Sequence, residues 1–296
     1  MTLSIRAIDP VSRPFFGGIV SGIDITQPLT REQAAEIEKG MDCYGVLVFN
    51  DQRLTDETQM AFSRNFGELE LATNNLRDSK TQRLGAHIAD ISNLDNDNKV
   101  LARENRRRLF SLGTRLWHSD SSFKVVPAKY SLLSARIIPD KDGNTEFADM
   151  RAAYDALDDD TKAECEGLVC EHSQLFSRAQ IGFGDFTEEE REMFAPVQQR
   201  LIRRHPSTGR KSLYLASHAG SILGWPIPEA RAFLRDLTEH ATQRKFVYAH
   251  QWKQFDLVVW DNQATMHRSR PFDASQVRDM HRTTVAGLRS TMDEAA

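Results

Sequence analysis

Apolar residues come in short blocks along this chain. Val46–Phe49, Tyr130–Ile138, Leu201–Arg204, Ser212–Ala216, Leu257–Trp260 and Thr283–Leu288 each make a run bounded by polar or turn residues. Runs of this length predict buried strands. The first thirty residues carry Pro10, Pro14, Gly17, Gly18, Gly22 and Pro28, which predicts short strands joined by turns. Helical patterns lie between these runs. Thr30 with Gln33 forms a capping box and predicts a helix to about Asp42. Thr55 caps a second, whose Met60, Phe62 and Phe66 lead to Gly67. Others are predicted over Met150–Leu168, over Thr187–Phe194, where Thr187 and Glu190 form another capping box, and over Pro228–Ala241. From Glu68 to Gly113 the chain is mostly polar, with a strand expected only near His87–Ile91. A loop of that size predicts a lid or binding loop. Arg106-Arg107-Arg108 reads as a solvated face. Many short strands with inserted helices predict a β-rich α+β fold, a sandwich or barrel with helices added. No linker or repeat divides it, so residues 1–296 read as a single domain.

Composition narrows the function. Of 296 residues, 38 are Lys or Arg and 42 Asp or Glu, giving a net charge of −4. Such a balance offers no field for a nucleic-acid backbone or an anionic membrane. The apolar runs fall far short of the roughly 18 residues of a membrane span. Arg6 and Asp9 stand where a signal peptide would be apolar. The three cysteines, Cys43, Cys165 and Cys170, cannot all pair and read as reduced thiols. These features predict a cytoplasmic protein with no nucleic-acid or membrane partner; a homo-oligomer is compatible with them.

Candidate chemistry centres on two segments. In Trp117-His118-Ser119-Asp120 an imidazole and a carboxylate stand two residues apart, which on a strand puts both on one face. Two histidines and one carboxylate on one face make the facial triad of non-haem Fe(II) oxygenases. His267, just past the Leu257–Trp260 run, could supply the second imidazole. Arg278 follows it by 11 residues and Arg282 by four more. Arginine forks onto carboxylates, so the pair points to anionic ligands near a metal; on one strand the even spacing would give both the same face. A lone His-x-Asp and two surface arginines are the bland alternative. His172, His205, His240 and His250 read as surface or structural.

With these motifs the chain resembles the Fe(II)/2-oxoglutarate-dependent dioxygenases of the taurine and 2,4-dichlorophenoxyacetate dioxygenase family. The resemblance runs from Gly22-Ile23-Asp24 and Gly45–Phe49, through Trp117–Phe123, Asn144-Thr145-Glu146-Phe147 and Trp260-Asp261-Asn262, to His267-Arg268, Arg278 and Arg282-Thr283-Thr284. Thr145 falls 25 residues after Asp120, the family's spacing. The resemblance implies a double-stranded β-helix, or jelly roll, with flanking helices. It implies that His118, Asp120 and His267 bind Fe(II), and that Thr145 and Arg278 hold the distal carboxylate of the cosubstrate 2-oxoglutarate. Arg282 would grip the anionic group of a small-molecule substrate, and Trp260 would line the site near the iron. The activity implied is O₂-dependent hydroxylation coupled to conversion of 2-oxoglutarate to succinate and CO₂.

Ala89–Asn93, Phe147–Leu157 and His240–Tyr248 look like the aryloxyacetate branch. Hydroxylation next to the ether oxygen would then release a phenol and glyoxylate. A sulfonate or another carboxylate as substrate is the rival within the class. A non-redox metal-binding jelly roll, and a hydrolase built on Ser217-His218, are rivals from other classes. Two turns depart from the family pattern: Asp142-Gly143-Asn144-Thr145 replaces Gly-Gly-Asp-Thr, and Phe255-Asp256 replaces Gly-Asp. Among loop residues, Asn74, Arg77, Lys80, Lys99 and His218 are unranked candidates for the pocket wall.

Overall fold

The computed structural model describes residues 2–72 and 83–294. In chain order its strands are β1 (Ser4–Ala7), β2 (Gly18–Ser21), β3 (Val46–Phe49), β4 (Ala89–Asp90), β5 (Ala128–Ile137), β6 (Thr145–Asp149), β7 (Val169–His172), β8 (Val197–Arg200), β9 (Ile202–Arg204), β10 (Lys211–Leu213), β11 (Ala219–Ile222), β12 (Val247–His250), β13 (Leu257–Asp261), β14 (Thr265–Ser269) and β15 (Asp279–Ala286). The α-helices are α1 (Arg31–Tyr44), α2 (Asp56–Ser63), α3 (Arg106–Ser111), α4 (Met150–Asp155), α5 (Asp159–Cys165), α6 (Gln174–Ala179), α7 (Glu188–Met193) and α8 (Ile227–Ala241).

Two sheets face each other. A seven-stranded sheet runs β1-β2-β3-β13-β5-β15-β4, and a three-stranded sheet runs β12-β6-β14. Val46 and Val48 of β3, Leu133 and Ala135 of β5, and Val258 and Trp260 of β13 pack with Phe147 and Tyr248 of the smaller sheet. Their neighbours Leu47, Phe49, Leu132 and Val259 point the other way, onto Ile37 and Met41 of α1 and Phe62 of α2. This explains why Val46–Phe49 of β3 and Leu257–Trp260 of β13 are apolar throughout: both faces are covered, so alternation would bury polar groups. The outer face of the small sheet gives Ala148 and Met266 to a third cluster with Met150 and Ala153 of α4 and Leu234 and Leu237 of α8.

The helix starts match their capping signals at Thr30, Thr55 and Thr187, each with both reciprocal bonds formed. Three expectations change. The Met150–Leu168 pattern is two helices, because Asp158 accepts from the Thr161 N–H and starts a new N-terminus. The arginine run is partly buried: Arg106 pairs with Glu190 and Asp185, and Arg107 lies 3.7 Å from Asp90. The strand near His87 shrinks to β4, two residues paired with β15. Both departing turns are accommodated. Asp142 and Gly143 take the positive φ values, 65° and 72°, so Asn144 needs none. Phe255 does adopt φ 70°, pinned by its N–H to Ala135 O and by Gln52 N–H to its carbonyl.

On the outer face of β15, His281 sits between Asp56 (2.5 Å) and Asp279 (3.3 Å), with Arg136 and Arg83 on those carboxylates. Burial lowers its pKa, but bonds from Asp279 and Asp56 outweigh burial and raise it. A raised histidine stabilises the fold below its ordinary pKa and loses that contribution as pH rises through the raised value. Asp279, held down at about 2 against burial by His281 and Arg83, contributes above the ordinary carboxylate range and loses it in acid. The cluster is therefore strongest between these ranges. His281→Phe is expected to lower the denaturant midpoint more at about pH 5.5 than at about pH 9. Equal losses at both would contradict the linkage.

Candidate active site

The residues singled out at His118, Asp120 and His267 meet between the two sheets. Met266 of β14 points outward to α8's cluster, so His267 points inward, beside Phe147 and Trp260. His118 is not on a continuous strand. It forms a single bridge with His267, with the N–H of each donating to the carbonyl of the other (3.0 and 2.8 Å). Asp120 lies in the turn that follows, where Ser121 has φ 56°. The His-x-Asp geometry thus comes from one bridge and one turn rather than from strand alternation.

One side-chain donor atom from each of the three residues lies within 4.8 Å of the others, and all three residues are buried. His118 Nδ1 faces the Leu116 carbonyl at 2.8 Å, which fixes that nitrogen as the protonated one and leaves Nε2 with its lone pair. Nε2 of each imidazole lies 3.8 Å from an Asp120 oxygen. Burial pushes the pKa of both imidazoles down, so they are neutral. Burial opposes the Asp120 charge, but the Arg282 guanidinium first and the Ser131 hydroxyl after it hold the carboxyl well below the usual range. Two neutral imidazoles and one carboxylate are the protonation states a divalent metal requires.

Arg282, on the inner face of β15, donates from Nη1 to Asp120 Oδ1 at 2.6 Å, while its buried Nε has no partner among the described residues. Ser131 of β5 donates to the other oxygen, Oδ2, at 2.7 Å. Arg278 stands one residue before β15, after which the register shifts, so the two arginines do not share a regular strand. Its N–H is held by Asn93 Oδ1 at 2.9 Å. The Asn93 amide also donates to the carbonyls of Ala274 and Gln276, which fixes the loop leading in. Arg278 is 6% exposed, and its guanidinium makes one long bond, 3.5 Å to Ile91 O. No carboxylate pairs with it among the described residues. Burial pushes its pKa down to about 10. A buried cation without an anion is costly, a cost that an anionic ligand would offset.

Thr145 opens β6 and is buried; its hydroxyl accepts from Trp252 Nε1 at 3.0 Å. Gly143, two residues before it, would place a Cβ 3.7 Å from Arg278 Nε, so the Asp142–Thr145 turn approaches the guanidinium. Trp260 is 1% exposed, its ring 4.6 Å from that of His267 and its N–H on Asn262 Oδ1. It backs His267. His218, unranked before, is buried with its ring 5.9 Å from His118 and its Nδ1 on Ser122 Oγ at 2.8 Å. Among the described residues the Ser217 hydroxyl has no partner, so Ser217 and His218 form no nucleophile–base pair. Lys99 lies exposed in the Asp95–Lys99 turn. Asn74, Arg77 and Lys80 fall outside the described residues. Sequence reasoning missed Ser131 and Asn93. Ser131 carried a signal, a lone polar residue on the inner face of an apolar strand.

Residues 6–284 match the model of the taurine catabolism dioxygenase TauD, TfdA family. The chain is 44% identical to the alpha-ketoglutarate-dependent 2,4-dichlorophenoxyacetate dioxygenase of Cupriavidus pinatubonensis, over 95% of this chain and 96% of that one. It is 35% identical to the (S)-phenoxypropionate/alpha-ketoglutarate-dioxygenase of Sphingobium herbicidovorans, over 92% of each. Among solved structures, AAD-2 in complex with Mn(II) and N-oxalylglycine superposes with a TM-score of 0.90 at 56% identity, covering 98% of this chain and 99% of that one.

Proposed function

Because this chain belongs to the TauD, TfdA family of dioxygenases, we propose that it is an Fe(II)- and 2-oxoglutarate-dependent dioxygenase acting on an aryloxyacetate such as 2,4-dichlorophenoxyacetate. The observation that carries the reading is the buried His118–Asp120–His267 set together with the buried Arg278 guanidinium, with which no carboxylate pairs among the described residues. A metal-binding module without a keto acid has no use for that cation. The similarity to 2,4-dichlorophenoxyacetate dioxygenases supports the aryloxyacetate, and the more distant phenoxypropionate relative supports an aryloxy acid more broadly. We read residues 1–296 as a single dioxygenase domain, its two facing sheets as the halves of a double-stranded β-helix.

His118, Asp120 and His267 would hold Fe(II), leaving its other positions open. Bound iron with 2-oxoglutarate and O₂ supplies the oxidising power for C–H hydroxylation, with succinate and CO₂ as coproducts. The protein supplies placement. Arg278 and the Thr145 hydroxyl receive the distal carboxylate of 2-oxoglutarate, whose charge the buried guanidinium requires. Arg282 keeps Nη1 on Asp120 and offers its remaining N–H groups to the substrate carboxylate. Trp260 backs His267 and holds its ring. Hydroxylation of the carbon next to the ether oxygen gives a hemiacetal, which collapses to a phenol and glyoxylate. Among the described residues no helix is long and apolar enough to cross a membrane.

The test is a substrate panel of aryloxyacetates, taurine and aliphatic acids, scored by succinate formed per product. Tight coupling is expected only with aryloxyacetates; coupling with taurine instead would transfer the reading to sulfonates. Arg282→Ala is expected to raise the aryloxyacetate KM by about tenfold or more while the 2-oxoglutarate KM stays within about twofold. Succinate formed without product should rise, because a loosely held substrate no longer presents its C–H. Arg282→Lys should recover only part, since an ammonium cannot fork. Equal damage to both KM values would place Arg282 on the cosubstrate instead.

A further inference from the structure

The Asn262 amide lies behind the candidate metal site, on the backbone of Asp120 rather than among the donor atoms. Asn262 is fully buried just past β13. Its Oδ1 accepts from the Asp120 backbone N–H and from Trp260 Nε1, each at 3.1 Å. Both groups are donors only, so the oxygen must face them and the NH₂ must face the other way. There Nδ2 donates to Ser131 Oγ at 3.0 Å. With that lone pair taken, the Ser131 proton is sent to Asp120 Oδ2 at 2.7 Å. A directed chain therefore runs from the Asn262 amide through the Ser131 hydroxyl to the carboxylate, and such chains polarise each link. The same amide holds the indole of Trp260, whose ring lies 4.6 Å from that of His267.

We propose that Asn262 is a positioning residue that sets two of the three candidate ligands at once, Asp120 through Ser131 and its backbone N–H, and His267 through Trp260. Neither Asn262 nor Ser131 is a metal donor; each acts through another side chain. The proposal rests on the metal-site reading above and extends it to the residues that orient the donors. Groups in this position typically change metal affinity 10- to 100-fold.

The experiment measures Mn(II) affinity of metal-free protein by the paramagnetic resonance signal of free Mn(II), with melting curves alongside. Ser131→Ala removes one hydroxyl and is expected to weaken Mn(II) binding about tenfold. Asn262→Ala is expected to weaken it by about 10- to 100-fold. The double variant should bind within about twofold of Asn262→Ala, because both changes break one chain. A Ser131→Ala protein that binds within about twofold of wild type overturns the proposal, as does a double variant whose losses multiply. If Asn262→Ala does not fold, Ser131→Ala decides: weakened binding with an unchanged melting temperature supports the chain, and unchanged binding overturns it. Asp120→Ala is the reference arm. If it binds Mn(II) as tightly as wild type, the metal site itself is refuted, and with it everything built on it.

Discussion

Asp120→Ala is expected to lower iron-dependent turnover by at least about 10³-fold, roughly 4 kcal/mol of activation free energy, while the protein still melts cooperatively. The change removes the only carboxylate among the three donors and the anion to which Arg282 Nη1 and Ser131 Oγ donate. Two neutral imidazoles alone hold a hard divalent cation poorly. The melting temperature should fall, because Arg282 is left partly buried without its partner. The fold should survive, because the three apolar clusters that join the sheets and helices do not include the donor set. Steady-state turnover at saturating iron, with circular dichroism and melting curves, checks both halves. Turnover near wild type would remove the triad from the account.

Arg278→Ala is expected to raise the 2-oxoglutarate KM by about 30-fold or more, from the roughly 2–5 kcal/mol that a buried charge-assisted contact loses on truncation. Stability should move in the opposite direction to the Asp120 case. In the protein without cosubstrate, Arg278 is a buried cation whose desolvation no carboxylate among the described residues offsets. Removing it relieves that cost. Unchanged or raised thermal stability together with a large KM effect would identify a group kept for its ligand. An unchanged KM would place the keto acid elsewhere.

Much of this was legible because the sequence signals were local. A threonine three residues ahead of a glutamine or glutamate specifies a helix start without tertiary help, and α1 and α7 begin where those boxes stand. The apolar β3 and β13 announced strands covered on both faces. The site was legible through motif resemblance, less through periodicity. One bridge holds His118 against His267 and a turn carries Asp120, a geometry that strand alternation does not describe. Arg278 falls outside β15 for the same reason: its place is set by Asn93, 185 residues away in sequence. Partners so distant leave no pattern within a window of a dozen residues. The arginine run at 106–108 read as solvated because its partners, Glu190 and Asp185, lie about 80 residues on. Ser131 stands as a polar residue within a largely apolar run, and Asn262 was noted only within the Trp260-Asp261-Asn262 motif; what they bond is a property of the assembled sandwich.

The most direct test of the whole account is the stoichiometry of a single reaction. Purified protein loaded with Fe(II) under anaerobic conditions is given 2-oxoglutarate, 2,4-dichlorophenoxyacetate and then O₂, and succinate, glyoxylate and the phenol are quantified together. The three products are expected in equal amounts, none of them without O₂, with no phenol when either iron or 2-oxoglutarate is left out. Phenol released without O₂ or without 2-oxoglutarate would contradict the dioxygenase reading, as would succinate formed at the same rate whether or not the aryloxyacetate is present.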